Sequence, residues 1–324
     1  MGTPDNLRAA TPADVMSSAD TDIPHDENVH GVEFTPVPRR SVMSSASASP
    51  LTLMAVHAHP DDESTSTGGI LAHYALRGVR TIVVTCTDGD LGDGPGGVKP
   101  GGDGHDPREV AAIRQGELRR ACEHLGVSDL ELLDYHDSGM AQWGLQQREN
   151  AFCSVPVEHA ANRIAQLIER YQPQVVVTYD PHSTRHPDHV QAARVTTYAV
   201  DAGHVVAKLY YKANGSVYWQ RLYRALAEVG IQWSAPSGEM LRMLESVDQR
   251  ITTTVDVSQV VDRKRAALHA HASQIDSSLA GKLPASQFAY AFSTESYIRA
   301  RGLTAASAPE GDLFSGLGHG LQLR

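Results

Sequence analysis

The chain has 324 residues, 41% of them hydrophobic, enough to bury a substantial core without disulfide or metal staples. Its formal net charge of -10, with no long run of Lys or Arg, excludes a typical nucleic-acid binder and argues against an anionic membrane surface as partner. Three widely spaced cysteines (Cys86, Cys122, Cys153) form no CxxC pair, no apolar run is long enough for a membrane span, and no signal peptide is visible; these features point to a cytoplasmic protein.

Residues 1–48 mix Ser, Ala, Asp, Thr and Pro with neither a helical nor a strand period, which predicts a disordered arm ahead of one domain over residues 49–324. Leu51–His57 then reads as a short buried strand and Gly68–Leu76 as a helix. Thr81–Cys86 is continuous and β-branched, as suits a strand buried on both faces. A Gly-rich acidic loop over residues 88–106 is read as either a mobile lid or an exposed insertion. It ends in a helix start signal: Asp106 as cap, Pro107 in the first helical position and Glu109 completing a capping box.

Further strands are predicted at Leu130–Leu133, Gln174–Tyr179 and Lys208–Tyr211, and helices at His159–Tyr171 and Pro187–Ala199. Strands alternating with helices predict an α/β fold, a doubly wound and mostly parallel sheet. Beyond residue 214 the alternation weakens. A strand at Ile251–Val257 and a long amphipathic helix at Ser258–Ile275 suggest a C-terminal α/β cap on the same core. No internal repeat is present.

Two clusters carry the chemistry. His57-Ala58-His59-Pro60-Asp61-Asp62-Glu63 follows the first strand, and His186-Pro187-Asp188-His189 follows the strand ending at Tyr179 and opens a helix. Ligands of an open α/β sheet bind beyond the carboxyl ends of its strands, so both clusters sit at the end where they can converge. Two His and one carboxylate would leave a zinc position open for water, the pattern of hydrolytic sites. A lone His-Pro-Asp is ordinarily a turn with the Asp capping a helix. Two such clusters, both rich in His and Asp, favour a metal.

These motifs, with VTYDPHSTRHPDH, the DSGM of Asp137–Met140 and the closing GDLFSGL, resemble the GlcNAc-phosphatidylinositol de-N-acetylase (LmbE-like) superfamily from about Leu51 to about Leu317. Its actinobacterial members include the mycothiol-pathway deacetylase and the mycothiol-conjugate amidase. The resemblance implies a Rossmann-like fold and a zinc-dependent deacetylase of N-acetylglucosamine-type conjugates. By it, His59, Asp62 and His189 are the zinc ligands, Asp61 is the general base that activates the water, and His186 stabilises the oxyanion or protonates the departing amine. Ferrous iron or cobalt would also suit such a donor set. The mycothiol enzymes carry a Tyr two residues before the first His of HPDH, where this chain has Thr184.

Arg114 falls in the middle of the apolar stripe Val110, Ile113, Leu118, Ala121 and Leu125. A buried guanidinium needs a partner. One reading is a structural ion pair with Glu117; the resemblance favours a substrate-hydroxyl contact and makes Asp137 another. His271 reads as a satisfied core histidine. The loop is not GxGxxG opening a helix, which argues against dinucleotide binding, and no GxSxG elbow is present. The partner expected is a small amino-sugar conjugate. Open alternatives are an amidase for a larger acyl group, a non-catalytic carbohydrate-binding relative and a zinc phosphoesterase; the oligomeric state is left open.

Overall fold

A computed structural model of the chain describes residues 51–203, 206–232, 236–302 and 309–317. The arm expected over residues 1–48 lies outside the described residues. Chain order from Thr52 is β1 (Thr52–His57), α1 (Asp62–Ser66), α2 (Gly68–Ala75), β2 (Arg80–Thr87), α3 (Pro107–Leu125), β3 (Asp129–Tyr135), α4 (Val157–Tyr171), β4 (Val175–Tyr179), α5 (Pro187–Asp201), β5 (Lys208–Ala213), α6 (Ser216–Glu228), α7 (Gly238–Arg250), β6 (Thr253–Asp256), α8 (Val261–Ala270), α9 (Ala285–Phe292) and β7 (Thr294–Gly302).

The strands form one seven-stranded sheet in the order β3-β2-β1-β4-β5-β7-β6. β1 to β5 run parallel; β7 is antiparallel to both β5 and β6. Every residue of β1 is buried, because both faces of the sheet are covered. The strand period of two divides it: Leu53 and Ala55 pack with α2, α3 and α8, while Met54 and Val56 pack with α4 and α5. The order reverses between β1 and β4, so the two neighbouring strands that precede the His/Asp clusters flank the switch point, the usual ligand crevice of such sheets.

The C-terminal region extends the same sheet with two antiparallel strands and adds a helical layer in which Leu222, Leu226, Phe288 and Phe292 pack together. The long helix expected over Ser258–Ile275 is shorter. A 3-10 turn at Ser258–Val260 precedes α8, which stops at Ala270 because His271 leaves helical geometry (φ -82°, ψ 58°) to reach a buried partner. Asp106 caps α3 as anticipated, its side chain accepting from the Arg108 N–H.

Candidate metal centre and active site

β1 ends at His57 and the chain turns through Pro60 into α1, bringing His59, Asp61 and Asp62 to the carboxyl edge of the sheet. β4 ends next to it and α5 opens with His186 as its cap, delivering His189 one turn in. The rings of His59 and His189 have centroids 5.3 Å apart. Asp62 Oδ2 lies 3.3 Å from His59 Nδ1 and 3.4 Å from His189 Nε2. Donor atoms bound at about 2.0–2.1 Å around a tetrahedral ion stand roughly 3.3–3.4 Å from one another. Asp62 Oδ2 thus stands at tetrahedral donor spacing from one nitrogen of each imidazole.

The surroundings are cation-seeking. Besides Asp62, His59 faces Asp188 Oδ2 at 3.2 Å and Asp137 Oδ1 at 3.5 Å, both through Nε2. Burial alone would depress the His59 imidazole, but Asp137, Asp188 and Asp62 overturn that and hold it well above its ordinary range. Burial would likewise raise Asp62, yet His189 and His59 keep it well below the usual carboxylate range. Donor atoms of His59, His186 and His189 cluster tightly, as do those of His59, Asp137, His186 and Asp188.

Asp61 is next to this cluster but points elsewhere. Its backbone has φ 109° and ψ -25°, a region that costs a non-Gly residue on the order of 1–3 kcal/mol. Its Oδ2 lies 3.1 Å from Arg114 Nη2. Burial, aided by Asp62, pushes the Asp61 carboxyl up to about 6, against the pull of Arg114.

Arg114 is buried, and its partner is Asp61 rather than Glu117. Nη1 donates to the Gly89 carbonyl at 2.7 Å and Nη2 to that of Pro60, while Glu117 instead binds Ser273. A Cβ at Gly89 would lie 2.5 Å from Arg114 Nη1, and one at Gly92 2.7 Å from it, so these glycines make room for the guanidinium. The first part of the Gly-rich loop is tied down at Asp93, whose backbone exchanges two hydrogen bonds with Gln274, at 2.9 and 3.0 Å. Residues 95–97 and 101–104 are exposed, as the insertion reading expects.

His186 accepts from the Asp188 N–H at Nδ1 (3.2 Å), so its neutral ring carries the proton on Nε2. Burial, with the His59 and His189 rings alongside, holds it well below the ordinary imidazole value. Asp137 is buried; burial would raise it, and His59 holds it down instead.

A family model described as GlcNAc-PI de-N-acetylase (PIG-L) matches residues 54–200, which span both clusters. The 1D-myo-inositol 2-acetamido-2-deoxy-alpha-D-glucopyranoside deacetylase of Actinosynnema mirum is 38% identical over 287 residues, covering 83% of this chain and 98% of that protein. The chain belongs to the PIG-L family. Solved structures of lower identity share the PIG-L fold: a deacetylase of teicoplanin biosynthesis is 18% identical with a TM-score of 0.51, covering 77% of this chain and 98% of its own. The 4-carboxy-2-hydroxymuconate hydratase GalB of Pseudomonas putida is 17% identical with a TM-score of 0.50, covering 79% and 99%. A deacetylase and a hydratase on one scaffold mean that the fold alone does not specify the reaction.

In this PIG-L chain the structure brings His59, Asp61, Asp62, Asp137, His186 and His189 to one crevice, with Arg114 immediately behind Asp61. Three participants escaped sequence reasoning. Asp188 binds Ser138 through its N–H (2.8 Å) and hydroxyl and supports His59 from behind. Thr184 Oγ1 lies 3.2 Å from His189 Nδ1 and so orients a candidate ligand. Tyr179 stacks on the His189 ring at 4.2 Å. The signal was available for Asp188, since a metal-bound imidazole commonly leans on a carboxylate.

Proposed function

We propose that the chain is a zinc-dependent N-deacetylase that hydrolyses the acetamide of an N-acetylglucosamine-type conjugate to free amine and acetate. The observation that carries this reading is Asp62 Oδ2 at tetrahedral donor spacing from both His59 Nδ1 and His189 Nε2, with Asp61 beside them. Similarity to a named deacetylase across most of both chains supports it. The name of that relative makes the α-glycoside of N-acetylglucosamine with inositol the first substrate to try.

A zinc ion held by these three residues would polarise the amide carbonyl and lower the pKa of water. Asp61, its carboxyl raised toward neutrality and steered by Arg114, takes the proton from the attacking water and returns it to the departing nitrogen. His186 donates from Nε2 to the carbonyl oxygen as negative charge grows there; a neutral ring suits this role better than delivery of a proton. Asp137, buried and kept ionised by His59, accepts from sugar hydroxyls.

The test is to load the protein with zinc, supply N-acetylglucosaminyl inositol and other N-acylglucosaminyl conjugates, and follow free amine and acetate. Amine release that a chelator abolishes and added zinc restores is the expected result. No amine from any conjugate would overturn the reading, and faster release from a longer acyl group would make the enzyme an amidase.

A further inference from the structure

The final residue of the first cluster, Glu63, has no part in the chemistry above, yet its carboxylate is fully buried. Both of its oxygens are committed away from the candidate metal donors. Oε1 receives His271 Nε2 at 2.8 Å and the Ser64 hydroxyl. Oε2 receives the backbone N–H of Asp61 at 3.0 Å. That N–H belongs to the same peptide group as the Pro60 carbonyl, which accepts from Arg114 Nη2. One peptide plane is thus held at both ends, its carbonyl by a guanidinium and its N–H by a carboxylate.

Rotation of that plane about the Asp61 N–Cα bond is the φ angle, and φ here is 109°. L-residues leave this region unless their surroundings hold them. Relaxation to an ordinary φ would swing the Cα–Cβ bond and carry the Asp61 carboxylate away from Arg114. His271 anchors the clamp from 208 residues away, just past the end of α8, and is itself only 1% exposed. Charge-assisted bonds of this kind are stronger than neutral ones and hold geometry well.

We propose that Glu63, braced by His271, is a positioning residue that holds the Pro60–Asp61 peptide in its strained orientation and so aims the Asp61 carboxylate. The inference rests on Asp61 being the general base.

Glu63→Ala in the zinc-loaded enzyme should lower kcat by roughly 10–100-fold, as loss of such supporting partners typically does, with KM and zinc content unchanged. Glu63→Gln keeps an oxygen for the Asp61 N–H while His271 switches tautomer, and should recover most of the loss. Should Glu63→Ala fail to fold, Glu63→Met combined with His271→Leu removes the acceptor and fills the space with apolar groups, a replacement buried ion pairs often tolerate. In an Asp61→Ala background the removal of Glu63 should cost nothing further, because the group it aims is gone. Independently of turnover, hydrogen exchange at the Asp61 amide should be slow in the parent and fast without Glu63. Unchanged kcat, an equal loss in the Asp61→Ala background, or unaltered amide exchange would each overturn the inference. Full turnover of Asp61→Ala alone would instead sink the assignment of the base, and the exchange measurement would still decide whether Glu63 holds the peptide.

Discussion

Adjacent carboxylates at the start of α1 have opposite fates because the chain turns between them. Asp62 enters the helix and faces His59 and His189, whereas Asp61, at φ 109°, faces Arg114. Asp62→Ala should therefore lose bound metal together with activity. Asp61→Ala should keep its metal and lose the roughly 10²–10⁴-fold that a positioned base supplies. Metal analysis beside steady-state kinetics on both variants checks this, and a metal-free Asp61→Ala would reverse the two roles. These residues were legible in the sequence because each motif compresses several ligand types into a few positions. Asp188 was passed over, although its place beside the imidazoles was a signal, because an acid just inside a helix start reads as a cap. The cap is instead His186, which frees the Asp188 side chain to hold Ser138 and His59. Asp188→Asn should weaken metal affinity or activity by about 10–100-fold, measured by metal titration, with little change in melting temperature.

Elements built on periodicity were legible and those built on distant partners were not. β2 and β4 are continuous β-branched runs, and α3 announces itself through Asp106 and Pro107. The start of α2, by contrast, is capped from the far end of the domain. Glu295 on β7 accepts from the N–H groups of Gly69 (2.8 Å) and Ile70 (3.0 Å) and pairs with Lys264 of α8 at 2.6 Å, all buried. No local pattern near Gly68 points to a residue more than 200 positions away. Burial would raise Glu295, but Lys264, with Lys212 beyond it, holds the carboxyl below its ordinary value. A carboxyl lowered in the folded state stabilises the fold above its unfolded value, near 4.3, and that stability is lost as pH falls through the folded value. Glu295→Gln should cost about 3–5 kcal/mol at neutral pH, because it leaves Lys264 buried without a charge partner. The difference in melting temperature between parent and variant should shrink steadily below about pH 4. Thermal melts across that range decide the matter, and a difference independent of pH would show that Glu295 acts by shape rather than charge.

At the scale of the whole molecule, the two ends of the chain make opposite demands. The composition of residues 1–48 leads us to expect that their removal leaves turnover and melting temperature near those of the full chain. The C-terminal signature behaves differently, because residues 309–317 return to the sheet. The Glu310 backbone pairs with Thr252 and with Thr254 of β6, while its carboxylate meets Tyr210 and the buried Lys208 of β5 and Arg299 of β7. Asp312 accepts from the Tyr74 hydroxyl at 2.8 Å, and that oxygen in turn accepts from the Leu313 N–H. Leu313 and Phe314 are buried in the core shared with α2 and α3. Loss of this segment would expose two large apolar side chains, at about 1.5–3 kcal/mol each. It would also strip Lys208 of its counter-charge, a further cost of about 3–5 kcal/mol. Against a net domain stability of about 5–15 kcal/mol, those losses are decisive. A chain ending after residue 302 should be unfolded or melt far below the parent, whereas one ending after residue 317 should keep the parent's melting temperature. Lys208→Met in the shorter chain should recover part of the lost stability by removing the stranded charge. If the chain ending at residue 302 melted with the parent, the GDLFSGL segment would have no structural role, and its place against Tyr74 and Lys208 would need another explanation.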